Sequence, residues 1–198
     1  MRHAACSCFL TALFAVSLVA AGIDEPLRAT LLQMGKDDQA AIAIAVADPS
    51  RPMTEAESTQ SQEMRRRNED LIRKIVKEHG WPGISLVGED GSHAAWLVVQ
   101  HMDGDLDFQR SCLALMQEVW DRGEVRPRDL AYLTDRVLTH EGKPQRYGTQ
   151  GRGVTSAEDE ARIDRNRAAI GLEPWRVGVE KRKKDYADGY GAGAAKNP

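Results

Sequence analysis

Apolar residues recur at helical spacing along most of this sequence, and glycine or proline closes nearly every stretch. Met64, Leu71, Ile72, Ile75, Val76 and His79 keep the helical period, Gly80 stops it, and Pro82 stands just beyond. Upstream, Asp24 before Pro26 marks an N-terminus, with Leu27, Leu31 and Met34 on one face. A second apolar run from Ala40 to Ala47 ends at Asp48-Pro49, and Gly35 is expected to break or kink the chain between the two. Residues 48–61 read as a polar linker or a weak helix start, Thr54 and Glu57 having capping-box spacing.

Past Gly80 the pattern changes. Trp81-Pro82 and Gly88-Glu89-Asp90-Gly91 are turn chemistry around a short apolar piece, Ile84 to Val87. Ser92 then caps an expected helix through His101, apolar all round from Ala94 to Val99 and therefore buried. Asp105 caps another, from Leu106 to Arg122, closed by Gly123, and Pro127 opens a further one carrying Leu130, Leu133 and Val137. From Val137 the residues look extended. Val137-Leu138-Thr139-His140, a turn at 141–145, and Arg146 to Gln150 predict a β-hairpin or paired arms. A last helix is expected from Ser156 to Ile170, stopping at Gly171. Residues 176–198 lack periodicity and end in glycine and alanine, as a disordered basic tail would. The expected fold is mainly α: one helical domain over 22–175 with a small extended element at 137–150.

The first 21 residues stand apart. Arg2 and His3 precede an uncharged run from Phe9 to Ala21, with small residues at 19–21, which describes a secretory signal peptide cleaved after Ala21. The run is too short for a stable membrane span, so none is expected after cleavage. The expected location is periplasmic or extracellular. Cleavage removes Cys6 and Cys8 and leaves Cys112 alone, so no internal disulfide can staple the core. Cys112 shares a helical stripe with Phe108, Leu115 and Val119, which predicts a buried, inert thiol. Lys and Arg number 27 against 30 Asp and Glu, a net charge of −3, which argues against a nucleic-acid binder working through overall positive charge.

Several pieces in combination resemble a bacterial domain family of unknown function. They are Gly80-Trp81-Pro82, Ala95 to His101, Phe108-Gln109, Leu115-Met116, Tyr132-Leu133 with Asp135-Arg136-Val137, and Gly142 to Gln145 with Tyr147 to Gln150. Met34, Asp38-Gln39 and Gly171-Leu172 are similar to it as well. The resemblance implies one helical domain and carries over no catalytic residue.

The polar residues within that region are the candidates for function. His101, Asp135 and Arg136 form a possible acid/base set, with Asp103 or Asp135 orienting the imidazole and Arg136 or Tyr147 holding an anionic or carbonyl oxygen. Gln100, Asp103, Gln109, Gln145, Tyr147, Thr149 and Gln150 are the candidate binding residues. The same residues also fit a purely structural network, because buried polar groups must find partners. No metal site is expected. His93 and His101, eight residues apart, sit at about 80° from one another on a helix, too far along the axis to share an ion. Asp103-Gly104-Asp105-Leu106-Asp107 imitates a calcium loop but has Phe108 where the loop needs glycine and Ala114 where it needs glutamate. No nucleophile elbow, phosphate cradle or cofactor motif is present. Of the four tryptophans, Trp81, Trp96, Trp120 and Trp175, the second and third fall on expected core faces. Two functions remain. One is a non-catalytic exported protein binding a small ligand or an envelope protein between the Gln100-His101 end and the Tyr147 to Gln150 arm. The other is a small hydrolase-like enzyme with His101 as its acid/base.

Overall fold

Asp24 starts the described chain by capping a helix: its carboxylate accepts from the Leu27 amide at 3.0 Å, and Pro26 occupies the first turn. The computed structural model describes residues 22–47, 50–151 and 156–187, so the expected signal segment and the end of the tail lie outside it. Seven helices follow in order: α1 (Glu25–Val46), α2 (Glu55–His79), α3 (Ile84–Gln100), α4 (Leu106–Trp120), α5 (Pro127–His140), α6 (Ala157–Ala169) and α7 (Trp175–Ala187). Among the described residues no helix is long and apolar enough to cross a membrane.

Two expectations at the N-terminal half need correction. Gly35 does not break α1, which runs through it. A Cβ there would lie 3.1 Å from the Ala94 Cβ, so the missing side chain lets α1 and α3 approach closely. Of the two readings of residues 48–61 the helix start holds: the capping box at Thr54 and Glu57 is closed in both directions and starts α2 at Glu55. Ser92 is buried within α3 and caps nothing. That helix begins at Ile84, where Glu124 accepts from the Ile84 amide (3.1 Å) through its carbonyl and from the Ser85 amide (2.7 Å) through its carboxylate. Gly88, at φ 76 and ψ 165, puts a kink in it.

α1 to α5 share one core, with Leu31, Met34, Ile72, Val87, Val99, Cys112, Met116 and Leu133 at its centre. α1 lies on α2 and α3, and α4 lies on α5. The expected hairpin is absent, and no strand occurs among the described residues. Val137 continues the face of Leu130 and Leu133, and α5 runs on to His140. The glycine-proline chemistry at 141–145 serves a helix end instead. Gly142, at φ 68, donates to Thr139 O, and Lys143 reaches back to Leu138 O at 2.8 Å.

Beyond that end, residues 145–150 form a bend held from both sides. Asp135, fully buried on α5, accepts from the amides of Arg146 (2.7 Å), Tyr147 (3.0 Å) and Thr149 (2.8 Å) and from the Thr149 hydroxyl (3.0 Å). The carbonyls of the same bend face α6 and α7. Arg162 donates to Gln145 O, Asn166 to Arg146 O, Arg167 to Tyr147 O and the Trp175 indole to Gly148 O, all at 2.9–3.0 Å. Residues 176–187, read from the sequence as disordered tail, are helical in α7.

Gly148 is the tightest point. Its φ is +67, and a Cβ there would meet Trp175 Cδ1 at 2.6 Å. Gly148→Ala is therefore expected to destabilise the protein by about 2–4 kcal/mol through strain and overpacking. A red-shifted tryptophan emission together with a lowered melting temperature would register Trp175 leaving the bend, and an unchanged spectrum would contradict this account.

Candidate functional site

The last turn of α3 is buried up to Gln100, and α4 completes it. Helix ends leave carbonyls without partners. Gln109, with no exposed surface, sends its amide NH2 to Val99 O at 3.1 Å and Gln100 O at 3.3 Å. This fixes where Gln100 and His101 emerge. With its side-chain oxygen turned toward α5, the Gln100 amide accepts from Arg136 Nε at 2.9 Å and Nη2 at 3.1 Å. The third guanidinium nitrogen of Arg136 donates to Asp103, whose carboxylate also lies 3.9 Å from His140 Nε2. Gln100, Asp103 and Arg136 thus meet one another, and His140 lies beside them.

His101 turns the other way. Its Nδ1 lies 2.8 Å from Asp38 Oδ2, on α1, and the Gln39 amide donates to that same oxygen at 3.0 Å. Asp38 is 6% exposed, whereas the His101 side chain is 26% exposed. A carboxylate can only accept here, so Nδ1 carries the proton and Nε2 is left for another partner. Neither Asp103 nor Asp135 orients His101. Asp103 is occupied by Arg136, and all the bonding of Asp135 goes to the bend. Asp38 lies 63 residues from His101, and only its place in the family resemblance marked it beforehand.

The remaining candidate binding residues build the bend. The Gln145 side chain accepts from the Gln150 amide at 2.9 Å. Gln150 Nε2 donates to Tyr132 O and to Thr149 Oγ1. Tyr147 is buried, which pushes its phenol up from the ordinary value. The Gln145 and Gln150 side chains thus bond to the protein's own backbone.

A second imidazole is held in the same manner. His93 Nδ1 lies 3.0 Å from Asp129 Oδ2; Asp129 is buried and also engages Arg126. The His93 ring stacks on Trp96 at 5.0 Å, and Trp96 meets Tyr132 edge-on. Trp96 is therefore core, and Trp175 is a strut against Gly148, so the tryptophans form no shared platform. Among the described residues no group of three or more His, Cys, Asp or Glu is placed to hold a metal ion. The calcium-loop imitation is spent on helix capping and ion pairs: Asp105 accepts from the Phe108 amide, and Asp107 pairs with Arg110.

A family model covering residues 25–192, described as a family of unknown function (DUF6624), matches this chain. The chain belongs to that family. No curated protein and no solved structure matches it. The matched span holds both histidine–aspartate pairs and the bend, so the geometry above describes a DUF6624 domain.

Within that DUF6624 core Cys112 is an inert thiol. Burial pushes it up to about 12, and no surface of it is exposed. The sign of its effect on stability follows. An acid whose folded value is raised holds its proton in the fold after the unfolded chain has lost it. Its contribution is complete below about 8.5, the ordinary thiol value, and is lost as pH rises from there toward 12. Cys112→Ser or Ala variants melted between pH 8 and pH 10 are expected to fall less steeply with pH than the native protein; parallel slopes would contradict the burial.

Asp135 and the Asp38–His101 pair differ in how much each holds. Asp135→Asn presents an NH2 group to backbone donors inside the core and is expected to cost about 3 kcal/mol or more. His101→Ala removes a partly exposed partner and is expected to cost about 1–2 kcal/mol. Melting temperatures of both variants check the order, with Asp135→Asn falling furthest, by about 6 °C or more.

Proposed function

We propose that this protein is exported and acts without catalysis, binding a small ligand or an envelope protein at the surface formed by the end of α3 and the end of α5. The observation that carries the reading is the use of the polar residues. Asp135, Gln145 and Gln150 bond to the protein's own backbone and Thr149 bonds to Asp135, while His101, Asp103, Arg136 and His140 reach the surface as a pre-arranged polar face, with the buried Gln100 behind Arg136. Such an arrangement suits recognition, since its donors and acceptors are ordered before a partner arrives. Among the described residues the one cysteine is buried, so it supplies no thiol nucleophile beside His101. Export rests on residues 1–21, with their basic start, apolar run and small residues before Gly22.

One observation favours the hydrolase-like alternative. His101 has its Nδ1 on a buried carboxylate and its Nε2 unengaged, as a general acid/base requires. In that case Asp38 is the orienting residue.

One experiment separates the two. Mature protein beginning at Gly22 is offered ester, phosphate, glycoside and peptide probes, beside His101→Ala and Asp38→Asn variants that still melt cooperatively. The binding reading expects no turnover from any of them. It also expects the native protein, immobilised, to retain a ligand from periplasmic or culture-supernatant extract that His101→Ala fails to retain. Turnover abolished by both substitutions would overturn it in favour of the enzyme.

A further inference from the structure

The aspartate next to Asp38 points to a separate site. α1 and α2 leave between them a shallow groove of about 420 Å³, with Ala29, Met34 and Leu71 as its apolar lining and Asp37 and Arg67 at its polar end. Asp37 is 9% exposed. One of its oxygens accepts from Gln33 Nε2 at 2.9 Å, and the other takes Nη2 of Arg67. Asp38, the next residue, is turned to His101 and does not share this cation.

The two halves of the Asp37–Arg67 pair are unequally held. The Asp37 side chain is 12% exposed and steadied by Gln33, whereas that of Arg67 is 60% exposed. A carboxylate withdrawn from water demands a positive partner. An exposed arginine supplies that partner weakly, because screening and side-chain entropy consume most of the gain. The groove beside the pair is lined by Ala29, which is exposed, and Leu71, which is half-buried, over the buried Met34. A competing cation on an apolar stem gains twice over, from the carboxylate and from burying its stem against Ala29 and Leu71. Thr30, at the rim, donates its hydroxyl proton to Pro26 O and so keeps lone pairs for a ligand N–H.

We infer that this groove is a binding site for a small alkylguanidinium or alkylammonium compound, and that Arg67 is the side chain such a ligand displaces from Asp37. The site is independent of the face around His101. Its occupant matches the chemistry already seated there, a guanidinium on an aliphatic stem, with the stem lying in the groove.

The test titrates the full chain, labelled for amide NMR, with n-butylguanidinium and n-butylammonium, using 1-pentanol as the uncharged control. Saturable shifts at the Gln33 side-chain amide are expected with the two cations and none with the alcohol. Arg67→Gln removes the competitor and is expected to tighten binding about fivefold. Asp37→Asn combined with Arg67→Gln is expected to abolish it. Equal affinities for native protein and Arg67→Gln, shifts that survive in the double variant, or no saturable shift at all would each overturn the proposal. If Arg67→Gln fails to fold, the decision passes to Asp37→Asn alone, where retained binding overturns the proposal and lost binding supports it.

Discussion

Asp135 receives four hydrogen-bond donors from one short segment, three of them backbone amides, and none of its own surface reaches water. An ionised carboxylate buried without such donors would cost several kcal/mol; with them it becomes the point around which residues 145–150 must wind. The bend's amides are committed to α5, so its carbonyls turn the opposite way, and Arg162, Asn166, Arg167 and Trp175 take them. The attachment of α6 and α7 to the first five helices thus passes through a strip of backbone with a polar clamp on each edge. Apolar packing supports it at Ile163, which is fully buried and lies against the same glycine.

The other end of α5 settles less and exposes more. Gln109 secures the carbonyls at the end of α3, Gln100 grips Arg136, and Arg136 reaches Asp103. Each contact removes freedom from a side chain before any ligand appears. The imidazole of His101 is held from the third direction, by α1. The supports of this surface, Gln109 and Gln100 at the end of α3 and Asp38 on α1, are themselves buried, and close-packed interiors keep side chains in their rotamer minima.

Much of the helical framework was legible in the sequence because caps are local. Asp24, Thr54, Asp105 and Ser156 each accept from a backbone amide three residues on, so their chemistry needs no knowledge of the fold. The hairpin was misread for the same local reason. Gly142 before Lys143-Pro144 ends a helix as readily as it turns a hairpin, and the β-branched Val137 and Thr139 look like strand until their i, i+4 partners, Leu133 and Asp135, are counted. Legibility stopped at pairings between distant residues. Asp38 and His101, or Asp129 and His93, carry no mutual signal in the chain, and the role of Asp135 is visible only once the bend is folded round it.

Asp37 and Asp38 show why adjacency in sequence is a poor guide to shared chemistry. Successive helical residues point about 100° apart, and here that angle sends one carboxylate to α2 and the other to the end of α3. Each is nearly buried and each has a single cationic or imidazole partner from another helix. Their surroundings differ in what they leave open. At Asp38 the partner is a ring fixed in place, with one nitrogen unengaged, so the carboxylate serves to aim another group. At Asp37 the partner is a long, exposed arm beside an apolar groove, so the carboxylate itself is what an incoming cation would meet. The same residue type, one position apart, is a support in one case and a receptor in the other, and the difference lies in the exposure of the partner.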